Sequence, residues 1–465
     1  MKTGKRIAIL GAGESGIGAA LLALKHGFSP WISDLKEPEP NRYTEIQSHS
    51  IPLITGEHPL PELLSSDLII VSPGIPPTTP LIQTLMQNGK AVISEIEFAS
   101  QFVPPEQIIA ITGTAGKTTT TTMVTSIFTT AGIKAIACGN YGYSFARAVA
   151  CESAERYVVE VSSFQLTYCH HFHPHIALIT NIAPNHLDWH ASMEEYIQAK
   201  WKIAQNMTPN DFLILNGDDP ILLQSLQQQN PKARILFFTM QEKPESSAYF
   251  NSATEEIIIK SLHMDPKGKK LTKIPLKREK DKGRISPYNA MGASLIASLE
   301  KIKDEHIKKS FQTFQNSPHR LEVVTEINGV LFINDSKATT VNAVWYALDT
   351  VQAPVIWIAG GKDKGNDYSP LLQPVSEKVE ALLILARDES VRQRFKEVFH
   401  RIIPHMEEVR SMEEAVKRAF ELAKPGTTVL LSPACASFDY FQNYQERGNA
   451  FKDAVMRLKK HYETD

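Results

Sequence analysis

An α/β protein of three domains, each built on a mainly parallel sheet, is what this sequence predicts, and three observations carry the prediction. β-Branched apolar runs alternate with helical patterns almost from end to end, as happens when parallel strands are joined by crossover helices. Two glycine-rich turns, Gly11-Ala12-Gly13-Glu14-Ser15-Gly16 and Gly113-Thr114-Ala115-Gly116-Lys117-Thr118, each follow a predicted strand and open a predicted helix. The chain has 465 residues, more than one hydrophobic core organises, since single cores stop growing at roughly 250–300 residues.

In chain order, "KRIAILGAG" reads as a strand running into glycines, followed by the apolar helix "GIGAALLALKHG". "DLIIVSPGIP" is a further strand ending in a turn, and the Pro-Pro break in "FASQFVPPEQ" marks a first boundary. "QIIAIT", "RYVVEV", "HIALITNI" and "DFLILNG" are strands of a second unit. After residue 240 the pattern turns polar, and residues 267–284 hold nine basic side chains and two acidic ones. Without aromatics that run reads as a solvated insertion rather than a nucleic-acid arm. "EVVTEINGVLFIN" opens a third unit as a β-hairpin, because Asn328-Gly329 suits a type I′ turn. "PVIWIAGG", "EALLILA" and "TTVLLSPA" supply its later strands. The expected domains are 1–97, 98–316 and 317–465.

Composition excludes several classes. Hydrophobic residues at 42%, charged residues at 22% and a net charge of −2 give no global field to attract nucleic acid or an anionic membrane. No apolar run reaches the roughly 18 residues that a membrane span needs. Four cysteines without Cys-x-x-Cys spacing fit free thiols in a reducing compartment, so a cytoplasmic location is expected.

The second glycine turn carries the chemistry. It lacks the glycine of the usual phosphate-loop pattern, since Ile111 stands five residues before Gly116. Its backbone N–H groups and the helix start behind it nevertheless suit an anion. Lys117 is placed for terminal phosphates, and Thr118 or Thr119 for Mg²⁺. The β-branched run Thr118–Thr122 is poor for helix propagation and is read as answering to ligand contacts. Glu160 ends one strand, with Ser162, Ser163 and Gln165 beyond it. Asn181 ends another, with His186 and Asp188 following. Carboxyl ends of α/β strands are where ligands bind. The stripe Tyr196, Lys200, Ile203 puts a lysine on the apolar side of its helix, where a buried cation needs a partner or a changed chemical state. Snorkelling is the alternative. The run His170, His171, His173, His175 matches no tetrahedral zinc spacing.

"GTAGKTTT", "VEVSSFQL", "NHLDWH" and Lys200, in this order, resemble the Mur ligases, ATP-dependent amide-forming enzymes of peptidoglycan precursor synthesis. Their phosphate loop, Gly-Thr-x-Gly-Lys-[Ser/Thr], accounts for Ile111. "NDSKATT" (334–340), "GGKDKGNDY" (360–368) and "LLSPACASFDYFQNYQERG" (430–448) resemble the branch of that family that adds D-glutamate to UDP-N-acetylmuramoyl-L-alanine.

The resemblance implies an N-terminal Rossmann-like UDP-binding domain, a central P-loop ATPase-like domain and a C-terminal Rossmann-like domain. It implies small-molecule substrates (the nucleotide sugar, D-glutamate and ATP), Mg²⁺, and a monomer. Ser15, Asp34, Ser72, Pro73 and Gly74 would hold the UDP part. Gly113, Thr114, Gly116, Lys117, Thr118, Thr119 and Asn289 would serve ATP, joined from the third domain by Arg320, Asp335 and Lys337. Asn140 and His186 would lie near the reacting carboxylate, with Ser162 and Gln165 on the same substrate. Thr118, Glu160, His186 and a carbamylated Lys200 would hold Mg²⁺. Thr339, Lys364, Ser437 and Tyr444 would enclose D-glutamate.

One departure stands out: the family's His-Asn-x-x-Asn stretch is here Tyr288-Asn289-Ala290-Met291-Gly292. Competing readings start from single features. Gly11, Gly13, Gly16 and Asp34 form a dinucleotide fingerprint that by itself fits a nicotinamide-dependent oxidoreductase, but hydride transfer gives the second, ATP-type loop no task. The motifs also leave room for a different ligase of the same family and for a non-catalytic nucleotide-binding protein.

Overall fold

A computed structural model describes residues 4–186, 189–260, 271–276, 285–363 and 365–463. It contains three sheets distributed over two compact units, one formed by residues 1–274 with 288–310 and the other by residues 275–287 with 311–465.

The first sheet comprises β1 (Arg6–Leu10), β2 (Ser29–Asp34), β3 (Leu53–Thr55), β4 (Leu68–Val71) and β5 (Val92–Ser94), in the order β3-β2-β1-β4-β5. All its pairings are parallel. Ile7, Ile9, Ile32 and Ile70 are fully or almost fully buried on one face, while Ala8, Leu10, Ile69 and Val71 fill the other. Strands covered on both faces read as continuous apolar runs, which is why "RIAIL" and "LIIV" are legible. The strand order reverses beside β1, so the turns after β1 and β4 form a crevice at the carboxyl ends.

The second sheet comprises β6 (Ile108–Thr112), β7 (Ala135–Gly139), β8 (Arg156–Glu160), β9 (Ile176–Ile179), β10 (Phe212–Asn216), β11 (Arg234–Thr239), β12 (Ser246–Asn251), β13 (Glu256–Ile259) and β14 (Thr272–Pro275). Its order is β14-β13-β12-β11-β10-β9-β6-β8-β7. It is parallel from β7 to β12 and turns antiparallel at β13. Its own reversal lies at β6, between β8 and β9. Those three strands end in the phosphate-type turn, Glu160 and the segment leading to His186. One apolar cluster runs from Ile7 and Leu22 through Phe98 to Phe145 and Val159. The first two sheets therefore share a core and belong to one unit. The expected boundary at 97/98 falls inside the helix Glu95–Ser100.

The third sheet, taken by itself, comprises β15 (Glu322–Ile327), β16 (Val330–Asn334), β17 (Val355–Ala359), β18 (Val379–Ile384), β19 (His405–Glu408) and β20 (Thr428–Leu431), in the order β15-β16-β20-β17-β18-β19. β15 and β16 form the expected hairpin, with Asn328 (φ 49°) and Gly329 (φ 78°) in the left-handed region that a type I′ turn requires. The other pairings are parallel.

The histidine run is structural. The Glu97 carboxylate accepts from the backbone N–H groups of His170 (3.1 Å), His171 (2.8 Å) and Phe172 (2.8 Å). The rings of His173 and His175 each pair with one oxygen of Asp211, at 2.8 and 2.9 Å. The basic run 267–284 lies almost wholly outside the described residues, apart from 271–276.

Candidate active site

The turn after β6 opens the helix Lys117–Thr130, with Gly116 as its N-cap at φ 82°. A side chain at Gly116 would be strained at that φ, and its Cβ would stand 2.5 Å from Asn289 Oδ1. The turn is buttressed from β9. Asn181 Oδ1 accepts from Ala115 N (2.9 Å), while Asn181 Nδ2 and Thr180 Oγ1 donate to Ala115 O at 3.0 and 2.6 Å. Thr114 Oγ1 meets Tyr196 OH at 2.9 Å.

Two lysines converge on one carbonyl. Lys117 Nζ donates to Gly113 O (2.8 Å) and Thr114 O (3.0 Å). Lys200 Nζ donates to the same Gly113 O at 2.8 Å. Lys200 is 1% exposed and its ammonium lies 4.6 Å from the Tyr196 ring centroid. Burial, then repulsion from Lys117, pushes its pKa well below the ordinary lysine value, and Glu160 opposes that shift. The lysine on the apolar side of its helix is thus buried and not snorkelling.

Glu160, 2% exposed, ends β8. Its Oε1 accepts from Asn140 Nδ2 at 2.9 Å, while its Oε2 is buried with no hydrogen-bond partner among the described residues. An orphaned carboxylate oxygen is costly in a protein interior and fits a cation at this position. Among the described residues no three His, Cys, Asp or Glu side chains converge as a ready-made metal cluster. Thr118 is buried at the helix start. His186 adopts φ 57°, its carbonyl accepts from Trp189 N and His190 N, and its ring packs edge-on against Phe164 at 4.7 Å. Asp188 lies outside the described residues.

Several expected ligand residues prove to be occupied. Ser162 and Gln165 form a capping box for the helix Ser163–Thr167: Gln165 N donates to Ser162 Oγ, and Gln165 Oε1 accepts from Ser162 N and Oγ. Two hydroxyls of the threonine run answer to the helix itself. Thr120 and Thr122 return their hydroxyls to the carbonyls of Gly116 and Thr118, the back-bonding that lets such residues sit in helices. Thr119 lies half-buried in the first turn.

In the first sheet, Asp34 Oδ2 accepts from Ala12 N (2.7 Å) and Oδ1 from Lys36 N (3.0 Å), so the acid of the fingerprint braces the glycine turn. The turns meet closely: a Cβ on Gly11 would lie 2.3 Å from Ser72 Oγ. Ser15 stands in the first turn of the helix Glu14–Lys25, and Gly74 is exposed in the turn after β4. Within the departure at 288–292, Gly292 faces Leu178. A Cβ on Gly292 would come within 2.6 Å of Leu178 Cδ1. Tyr288 OH reaches Asp218 Oδ2 at 3.4 Å.

In the second unit, Asp335 and Lys337 follow β16. Asp335 Oδ2 accepts from Ser432 Oγ (2.8 Å) and Oδ1 from Leu321 N (3.2 Å). Burial raises its pKa to about 7, against those hydrogen bonds and nearby Arg320. Lys337 Nζ lies 5.4 Å from the Tyr444 ring centroid, Thr339 N donates to Lys337 O, and Ser437 is 3% exposed after β20. Lys364 is outside the described residues. Sequence reasoning missed Arg447. This guanidinium, 2% exposed, joins two loops by donating to Ser336 Oγ (3.0 Å), Ser336 O (2.9 Å) and Cys435 O (3.1 Å).

Comparison with known proteins agrees with this architecture. The MurD-like N-terminal domain of Mur ligases matches residues 5–94, the Mur ligase middle domain 111–297, and the Mur ligase glutamate ligase domain 319–435. A protein of Christiangramia forsetii named UDP-N-acetylmuramoylalanine–D-glutamate ligase is 42% identical over 459 residues, covering 98% of this chain and 100% of its own. The Bacteroides fragilis protein of that name is 41% identical with the same coverage. Among solved structures, a pseudomurein peptide ligase type C from Methanothermus fervidus (TM-score 0.60, 19% identity, 98% and 100% coverage) shares the fold. So does a MurF ligase from Thermotoga maritima in complex with ADP (TM-score 0.60, 14% identity, 98% and 96% coverage).

Proposed function

This chain belongs to the Mur ligase family, and from that premise we propose that it joins D-glutamate to UDP-N-acetylmuramoyl-L-alanine at the expense of ATP, as a cytoplasmic monomer. The observation that carries the reading is the pairing of Lys117 and Lys200 on Gly113 O with the orphaned Glu160 Oε2 at the neighbouring strand end. Lys117 would supply a fixed positive charge to the phosphates and Glu160 a carboxylate for a cation beside them, the charge arrangement that phosphoryl transfer to a carboxylate demands.

Lys117 would hold the terminal phosphates of ATP while an oxygen of the L-alanyl carboxylate attacks the γ-phosphorus. The products are ADP and an acyl phosphate. Asn140, fixed on Glu160, would orient that carboxylate, with His186 beside it. The amine of D-glutamate then attacks the acyl carbon through a tetrahedral intermediate, loses a proton, and expels inorganic phosphate. Thr118, Glu160, His186 and a carbamylated Lys200 would hold Mg²⁺, which when bound supplies positive charge between two approaching anions.

Carbamylation suits Lys200 because burial and the nearby Lys117 depress its pKa, which favours the neutral amine. A neutral amine adds CO₂ and releases a proton, and the resulting anion would attract Lys117. On the second unit, Arg320, Asp335 and Lys337 would serve the nucleotide. Thr339, Lys364, Ser437 and Tyr444 would serve D-glutamate, whose two carboxylates call for a lysine and hydroxyl donors. The domain division 1–97, 98–316 and 317–465 goes with this assignment. The sequence of steps is tested with substrate carrying ¹⁸O in the L-alanyl carboxylate. Transfer of one ¹⁸O into the released phosphate supports the acyl phosphate, and unlabelled phosphate opposes it.

A further inference from the structure

Resting on that reading, we propose that Glu14 and Arg147 are positioning residues that set the spacing between the nucleotide-sugar turn of the first sheet and the loop bearing Asn140. The loop 140–144 is fixed at both ends. At one end Asn140 N donates to Glu160 O (2.8 Å) and Asn140 Nδ2 to Glu160 Oε1 (2.9 Å). At the other, Ser144 N donates to Glu14 Oε1 at 3.0 Å. Between them Gly139 N donates to Tyr143 O at 2.8 Å, closing the loop on itself.

Glu14 is the residue before Ser15 in the glycine turn, so one carboxylate is built into the first turn and bonded to the second loop. Arg147 secures it. Its Nε donates to the same Glu14 oxygen at 2.7 Å, and its Nη1 and Nη2 form a bidentate pair with Glu45. Arg147 holds the Glu45 carboxyl below the usual carboxylate range. The neighbouring helical residue is held the same way, since Ala146 N donates to Glu95 Oε2 at 2.9 Å. The helices meet as closely as a missing side chain allows: a Cβ on Gly18 would stand 2.0 Å from Ser144 Oγ.

Adhesion alone does not call for this arrangement, because the two sheets already share an apolar core. Directional, charge-assisted bonds add registry, which apolar contact supplies poorly. Registry matters for this substrate. Its uridine diphosphate end and its reacting carboxylate are ends of one molecule, so the distance between their two sites decides whether the carboxylate meets the γ-phosphate. A misplacement of about 1 Å costs on the order of 100-fold in rate.

The test uses the full-length enzyme and its Glu14→Ala and Arg147→Met variants. The second keeps the Ser144–Glu14 bond and serves if the first does not fold. For each, kcat and KM are measured for the intact nucleotide sugar and for ATP, with the inhibition constant of UDP alone, which engages only the first turn. The expectation is a fall of roughly tenfold or more in kcat/KM for the intact substrate, with KM for ATP and inhibition by UDP within about twofold of the parent. Glu14→Gln, which retains an acceptor for Ser144 N, should recover part of the loss. Equal weakening of UDP and intact substrate, or unchanged kcat/KM, would overturn the proposal. An inactive parent enzyme would instead overturn the ligase reading on which it rests.

Discussion

Glu95 gives the most quantitative prediction. It is 1% exposed. Its Oε2 accepts from Ala146 N, while its Oε1 is buried with no hydrogen-bond partner among the described residues. Burial, helped by the Glu14 charge, raises its pKa from 4.5 to about 7, against the backbone hydrogen bonds that favour the anion. The folded protein therefore keeps this proton to higher pH than the unfolded chain. Its stabilising contribution is complete below about pH 4.5 and is lost as pH rises through about 7, and a shift of this size corresponds to about 3 kcal/mol. Glu95→Gln imitates the protonated acid and removes the pH dependence. Urea unfolding of parent and variant at pH 5 and pH 8 isolates the effect, because other titrating groups cancel in the difference. The variant should gain about 1–3 kcal/mol on the parent at pH 8 relative to pH 5. The same difference at both pH values would refute the reasoning.

Three further outcomes are expected. Gly116→Ala, which places a Cβ 2.5 Å from Asn289 Oδ1 at φ 82°, should cost about 1–3 kcal/mol of stability and weaken ATP binding by about tenfold or more, measured by calorimetric titration. Ser162→Ala should cost about 1 kcal/mol of stability through the lost helix cap, with KM for the nucleotide sugar within about twofold of the parent. A large KM effect would return Ser162 to the substrate. For Lys200, ¹³C-bicarbonate should give a carbamate resonance that Lys200→Arg abolishes, with activity falling on the order of 100-fold. A parent spectrum without that resonance would exclude the modification.

The parts of the fold that can be read from sequence are those whose residues declare a local requirement. "RIAIL" and "IIAIT" are buried on both faces, and Asn328-Gly329 meets a turn geometry that few residue pairs tolerate. Gly116 and Lys117 are legible for the same reason. What escapes depends on partners far along the chain. Glu95 and Glu97 look like an ordinary acidic helix start, yet both carboxylates are buried. Glu97 organises His170–Phe172 some 75 residues away. Arg447 sits in "NYQERG", which reads as surface charge, and its acceptor Ser336 is 111 residues distant. Asn181 reads as a strand end and serves as the buttress of Ala115. Ser162, Gln165, Thr120 and Thr122 show the converse. Their polar side chains suggest ligands, and the structure engages them in a capping box and in bonds to backbone carbonyls. The sequence pattern cannot separate these uses, because a hydroxyl at a helix start serves a cap or a phosphate equally well.

The central claim is tested most directly by phosphate release from Mg·ATP in the presence of UDP-N-acetylmuramoyl-L-alanine, with D-glutamate, L-glutamate or no amino acid added. The account predicts release that requires both the nucleotide sugar and D-glutamate, with a UDP-linked product heavier by one glutamyl residue. Release independent of the amino acid, or no release while the nucleotide sugar binds, would contradict it.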